Sequence, residues 1–347
     1  MTISKRLIRW YLKTRRDLPW RKTKDPYTIW VSEVILQQTK VDQGLQYFHR
    51  FMKRFPDLPS LAMADPDEVM KIWQGLGYYT RARNLHDTAR YINMNSGGML
   101  PSTYAGLIKL KGIGPYTAAA VASIAFGEKV PVVDGNVIRV LSRVFGIRSS
   151  GTKTFFEKAL EIMDTEEPGL FNQALMEFGA LNCTPVTPSC PACILRKECF
   201  AYNYDAVRDL PVKKVKPEIK KRYFHYFIIL DNDNMIIRKR DGSDIWKGLY
   251  DFPLIETGQP ASLQKLRDTP GWKNIFGSPG PEVLKYSTIR KHILTHQVIF
   301  ARFYFVGRYP ARLLTGNYLK IHQKKLNDLP LPRLIDRFIK ETNWLCI

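Results

Sequence analysis

Four cysteines, Cys183, Cys190, Cys193 and Cys199, lie in one 17-residue stretch with the spacing Cys-x6-Cys-x2-Cys-x5-Cys. Nothing else in the chain limits its fold as tightly. Buried thiols that serve only packing have no reason to crowd together. Four thiolates in one short loop suit either a tetrahedral zinc or a [4Fe–4S] cube. Structural zinc more often uses two Cys-x2-Cys knuckles set well apart, so the single uneven 6-2-5 spacing suits the cube better. The opening stretch, "MTISKRLIRWYLKTRR", has no clean apolar run and no small-residue cleavage site, so no secretory signal is expected. Its apolar residues recur at helical spacing instead. Clustered cysteines in such a chain argue for metal ligands in a reducing cytoplasm rather than disulfides. Cys346 stands alone.

The sequence around that loop predicts an α plus α+β multidomain protein. Over residues 1–205, "YTIWVSEVILQQ", "PDEVMKIWQGLG", "TRARNLHDTARYINMN", "YTAAAVASIAF", "NVIRVLSRVFG" and "PGLFNQALMEFGALNC" carry helical apolar spacing, ended by Pro or Gly. The predicted helical domain spans 1–212. The stretch "KKVKPEIKKR" (213–222) reads as a basic, solvated linker. From 223 to 347 the texture changes to "YFHYFIIL", "NMIIRKR" and "QVIFARFYFVG", which read as strands, with "DNDN" as a hairpin turn and "LPRLIDRFIKETNW" as a helix. A net charge of +21 favours a polyanionic partner, nucleic acid before an acidic membrane. No apolar run reaches the roughly 20 residues of a membrane span.

"LKGIGPYTAAAV" (110–121) places Gly112 and Gly114 ahead of a helical stretch, with Pro115 suited to its first turn. Backbone N–H groups in such a turn form an anion site. A lone Gly-x-Gly is also an ordinary helix–helix turn. Two acids interrupt apolar stretches: Glu33 in "IWVSEVILQQT" and Asp134 in "VPVVDGNVIRV". Asp134 could be a simple helix cap and Glu33 a paired core residue. Together they suit cleavage of a glycosidic bond, which needs an acid for the leaving group and a carboxylate for the oxocarbenium-like state. An apolar setting raises a carboxyl's pKa, as such an acid requires.

The cysteine loop and the hairpin at 104–125 resemble those of the endonuclease III-like DNA glycosylases of the helix-hairpin-helix superfamily. The resemblance implies a structural [4Fe–4S] cluster on Cys183, Cys190, Cys193 and Cys199. It also implies a phosphate grip at Gly112 and Gly114 that reads no sequence. Bifunctional members carry a catalytic lysine where this chain has Tyr116. A phenol forms no imine, so hydrolytic, monofunctional chemistry is implied.

"WVSEVILQQT" and "VDGNV" are similar to the MutY family of A/G mismatch glycosylases. By that resemblance Glu33 protonates adenine N7, Asp134 stabilises the oxocarbenium ion, Asn136 assists it and Tyr116 lines the reaction centre. "RRDLPWR" resembles the family's pocket segment. It implies Arg16, Trp20 and Arg21 around a flipped adenine, with Leu36, and with Gln173 at the base's amino group. Trp20 could equally be core packing. Gln37, Gln38, Thr39 and Tyr78 match the loops that fill the stack, and Arg81 and Arg83 would meet phosphate, as Arg196 and Lys197 could.

"WKGLYDFP" (246–253) resembles a Nudix-type domain without its acidic metal helix. Recognition of 8-oxoguanine is therefore implied, without hydrolysis or catalytic magnesium. Leu294, Thr295 and His296 stand where the family has Phe-Ser-His. The implied partner is duplex DNA carrying A:8-oxoguanine or A:G pairs. The implied protein is a cytoplasmic, nucleoid-associated monomer. A lyase for oxidised pyrimidines and a non-catalytic damage-binding protein are the competing readings. Tyr116 and the two acids weigh against them.

Overall fold

The computed structural model describes residues 1–212, 218–242, 244–278, 280–307, 309, 314 and 317–342. Residues 213–217 of the expected linker, and Cys346, lie outside the described residues. The chain divides into two compact units, 1–64 with 83–215, and 65–82 with 216–347.

The first unit is helical: α1 (Ile3–Thr14), α2 (Pro26–Leu36), α3 (Val41–Arg54) and α4 (Leu58–Ala62) precede the excursion into the second unit. That excursion carries α5 (Pro66–Ile72) and the start of α6 (Thr80–Ser96). Then follow α7 (Tyr104–Leu107), α8 (Pro115–Phe126), α9 (Gly135–Phe145), α10 (Thr152–Ile162), α11 (Pro168–Leu181) and α12 (Phe200–Asn203). The amphipathic α1 turns Leu7, Ile8 and Tyr11 inward, onto α11. The sequences of α2 and α8 are apolar on nearly all sides, so both lie in the interior and pack on each other. Leu141, Phe155, Phe171 and Phe178 close a core beneath α9, α10 and α11. Buried Asn172 ties the α8–α9 connection. Its amide donates to Ser123 Oγ (2.8 Å) and the Val130 carbonyl (2.9 Å), and its oxygen accepts from Val132 N–H (3.0 Å).

The hairpin's first helix is short. α7 ends at Leu107, because Leu110 N–H bonds back to Leu107 and Ile113 N–H to Leu110, tightening the chain into the turn. Gly112 sits at φ +77° with Asn84 against its α-carbon. A side chain there would be strained and would collide. Gly114 caps α8, with Pro115 in its first turn.

The second unit holds β1 (Lys220–Asp231), β2 (Asn234–Lys239), β3 (Tyr250–Asp251) and β4 (Leu254–Thr257), then α13 (Leu263–Arg267) and α14 (Pro270–Phe276). β5 (Val283–Tyr286), β6 (Arg290–Ile293), β7 (Gln297–Val306), β8 (Leu319–His322) and α15 (Arg333–Glu341) complete it. The sheet runs β3-β2-β1-β7-β5, with β4 on β1, β6 on β7 and β8 on β2. β1 and β7 pair in parallel from Lys220↔Gln297 to Ile229↔Val306. The predicted turn joins β1 to β2, with Asn232 at φ 55°, a conformation asparagine tolerates. Residues 220–222, expected in the linker, instead begin β1. Arg222 is buried there because Asp244 (2.6 Å) and Glu256 (2.6 Å) take its guanidinium. Among the described residues no helix is long and apolar enough to cross a membrane.

Candidate active site

Two helix faces of the first unit enclose a cavity of about 610 Å³. α2 presents Ile29, Ser32, Glu33 and Leu36 to it; α11 presents Gln173, Met176, Glu177 and Ala180. Each set follows i, i+3, i+4, i+7, the spacing of one face of an α-helix. Arg16, Trp20, Arg21, Thr39, Tyr116, Asp134, Asn136 and Arg139 also line the cavity. Every residue expected around the reacting base is thus gathered in one cavity. Trp20 is a packing residue as well as a lining one. It is buried, edge-on to Phe48 at 4.9 Å between ring centres, and it lines the cavity.

Glu33 sits in apolar α2, 7% exposed. The Tyr116 hydroxyl donates to its Oε2 at 2.6 Å and lies 3.6 Å from Met176 Sδ. Burial pushes the Glu33 carboxyl up, Tyr116 pulls it down and Asp134 raises it again; the result is about 7. Tyr116 itself is driven well above the usual phenol range by burial and by the charges of Glu33 and Asp134. Asp134 is the N-cap of α9. Its Oδ1 accepts from Val137 N–H (2.7 Å) and its Oδ2 from Asn136 Nδ2 (2.8 Å). Burial raises its pKa against both bonds. Asp134 is thus a helix cap and a lining group of the cavity at once.

Three neighbours escaped the sequence reading. Glu177 is buried and binds Arg16 through Nε (2.9 Å) and NH2 (2.5 Å), and Arg21 through NH1 (2.7 Å) and NH2 (2.7 Å). Burial would raise its pKa, but the two guanidiniums outweigh burial and hold it at about 2. An acid inside the apolar α11 was the available signal. Tyr11 donates to Gln173 Oε1 at 2.5 Å. Arg139 donates to Asn136 Oδ1 (2.8 Å) and to the carbonyls of Gly179 (2.7 Å) and Cys183 (2.7 Å).

Arg139 thereby leads from the Asp134 cap to the cysteine loop. Arg143, one turn on, binds the Thr184 carbonyl (2.7 Å) and approaches Cys183 Sγ (3.5 Å); Cys199 Sγ lies 3.4 Å from the Arg143 carbonyl. The four thiols are free. Among the described residues no three His, Cys, Asp or Glu side chains close around a point that would hold a metal ion. The donor set still suits thiolate ligation. Arg143 and the Leu195 N–H, 3.4 Å from Cys193 Sγ, are placed to offset negative charge on sulfur.

The residues expected to grip DNA lie outside the cavity, Thr39 excepted. Gln37 donates to Thr117 in α8 (3.1 Å). Gln38 (φ 55°) and Tyr78 (φ 49°) both hold left-handed backbone, a strain that concentrates at functional positions. Leu294, Thr295 and His296 form the β6–β7 turn, and within the second unit the Tyr78 and Thr295 hydroxyls are hydrogen-bonded. Arg81, expected near phosphate, makes contacts within the second unit. It lies over the Trp73 and Tyr78 rings and donates to the Gly77 carbonyl; burial lowers its pKa to about 10, and the ring faces and the carbonyl offset part of that cost. Arg196 and Lys197 are exposed.

Residues 31–164 match the family model described as HhH-GPD superfamily base excision DNA repair protein, and residues 225–341 match that of the NUDIX domain. The fold is shared with a thermostable thymine-DNA glycosylase (TM-score 0.55, 30% identity, 58% of this chain and 95% of that one). It is shared too with an endonuclease III–DNA complex (TM-score 0.52, 22% identity, 58% and 94% covered). The hairpin, the cavity and these matches define a DNA N-glycosylase of the base excision repair class.

Within that class the chain is 36% identical over 266 residues to the adenine DNA glycosylase of Buchnera aphidicola subsp. Acyrthosiphon pisum, covering 75% of this chain and 76% of that one. It is 44% identical over 209 residues to the Homo sapiens adenine DNA glycosylase (56% and 38% covered). The chain belongs to the adenine DNA glycosylase family.

Proposed function

We propose that this chain is a monofunctional glycosylase that flips adenine from duplex DNA and hydrolyses its N-glycosidic bond, where adenine faces 8-oxoguanine or guanine. The observation that carries the reading is the buried Tyr116–Glu33 pair, which leaves a carboxyl half-protonated at about pH 7. Tyr116 occupies Glu33 Oε2, and among the described residues no donor reaches Oε1, which leaves that oxygen open to carry a transferable proton. Glu33 delivers it to adenine N7 as the base departs. Asp134, its two oxygens held by Val137 N–H and Asn136, stabilises the sugar cation while water adds at C1′ and gives up its proton to the carboxylate that Glu33 has become. Tyr116 offers no amine for a Schiff base, so the strand stays intact.

Around the flipped base, Arg16, Trp20, Arg21, Leu36 and Gln173 form the pocket. Gln37, Gln38, Thr39 and Tyr78 serve the gap left in the duplex, and Gly112 and Gly114 hold a phosphate. Leu294, Thr295 and His296 contact the opposing 8-oxoguanine. Cys183, Cys190, Cys193 and Cys199 would hold a [4Fe–4S] cluster, which supplies a scaffold for the loop rather than redox chemistry in base release. The test is single-turnover base release from an A:8-oxoguanine duplex. Glu33→Gln is expected to bind the duplex and release no adenine; undiminished release would overturn the assignment.

A further inference from the structure

Gln173 can face the cavity with either end of its amide, and the two ends read opposite chemistry. Its oxygen would accept from an amino group; its nitrogen would donate to a ring nitrogen. Tyr11 removes the choice. Fully buried in α1, it donates its hydroxyl to Gln173 Oε1. The Arg15 and Arg21 guanidiniums lie over its ring, 5.8 and 5.3 Å from the centroid. Positive charge at that face favours the phenol as donor rather than acceptor. Arg21 is itself held by Glu177. Among the described residues no acceptor takes Gln173 Nε2, and Gln173 lines the cavity.

We propose that Tyr11 is a positioning residue that locks Gln173 as a hydrogen-bond donor, so that the pocket reads N1 on the Watson–Crick edge of the base rather than its 6-amino group. This rests on the adenine reading above and replaces the expected contact with the amino group. On the same edge N1 is the acceptor and the amino group the donor. Only N1 complements a pocket that presents N–H.

The probes are duplexes carrying, opposite 8-oxoguanine, adenine, 1-deazaadenine (no N1) or purine (no 6-amino group). Base release and equilibrium binding are measured for the wild type and three variants. Comparing ratios between variants cancels each analogue's intrinsic bond strength. The wild-type preference for adenine over 1-deazaadenine should fall roughly tenfold in Gln173→Leu and by a smaller factor in Tyr11→Phe, which keeps the ring in the core. Gln173→Glu, which turns the donor into an acceptor, should instead increase the preference for adenine over purine.

Adenine/1-deazaadenine ratios within twofold of wild type in both Gln173→Leu and Tyr11→Phe would overturn the proposal. So would a Gln173→Leu effect confined to the adenine/purine ratio. If the wild type releases no adenine, the excision reading falls, and the binding ratios still judge this proposal independently.

Discussion

Tyr116→Phe removes one hydroxyl and keeps the ring in the first turn of α8. In the intact protein that hydroxyl donates to Glu33 Oε2 at 2.6 Å and opposes the upward push of burial on a carboxyl at about 7. A hydrogen bond to a charged group contributes about 1.5–3 kcal/mol, and 1.36 kcal/mol corresponds to one pKa unit. Losing the bond should therefore raise the Glu33 pKa by about one to two units more. Base release by a protonated Glu33 declines as pH rises through its pKa. The wild-type decline should centre near pH 7, and that of the variant about one to two units higher. The measurement is single-turnover adenine release across the neutral and alkaline range. The ratio of variant to wild-type rate should climb about tenfold or more over the wild-type decline, whatever the absolute loss. A decline that stays in place, or moves to lower pH, would refute the coupling of Tyr116 to the Glu33 proton.

Glu33 also has a stability signature. Its folded pKa lies above the unfolded value, so the associated stability is fully present below the unfolded pKa. It is lost as pH rises through about 7, a loss of about 3 kcal/mol. Glu33→Gln should therefore stabilise the protein near pH 8 and leave it nearly unchanged near pH 4, as denaturant titrations will report. Glu177 has the opposite sign: its folded pKa of about 2 lies below the unfolded value, so its contribution is lost as pH falls towards 2. Glu177→Ala should cost about 3–5 kcal/mol at neutral pH by leaving Arg16 and Arg21 against an apolar helix, visible as a lower thermal midpoint. Tyr116→Lys should produce strand nicking and a borohydride-trappable DNA adduct; the absence of both products would count against the alignment of the hairpin. Purified protein should be brown and Cys199→Ala much paler; a colourless wild type containing zinc would replace the cluster assignment.

The elements were legible because their causes are local. Apolar spacing announced α1, α2, α9 and α11, and β-branched and aromatic runs announced β1, β2 and β7. Failures came where a distant partner decided. Arg222 looked solvated in a run of like charges, but Asp244 and Glu256 bury it in β1. Glu177 passed unnoticed because one acid in an apolar helix says nothing of which cations will meet it.

The sequence by itself determined the candidate groups and their chemical class: two acids in apolar settings, a tyrosine where an amine would form an imine, and four thiols in one loop. Those are properties of residue type and short spacing. Only the tertiary structure decided their states. Glu33 is poised near neutral pH because burial of α2 raises its pKa while Tyr116, 83 positions away, donates to it and holds the rise to about 7. Gln173 presents a defined end because Tyr11, 162 positions away, occupies the other. Such polarity depends on which side chains pack together, and in a close-packed interior that is set by the whole chain at once.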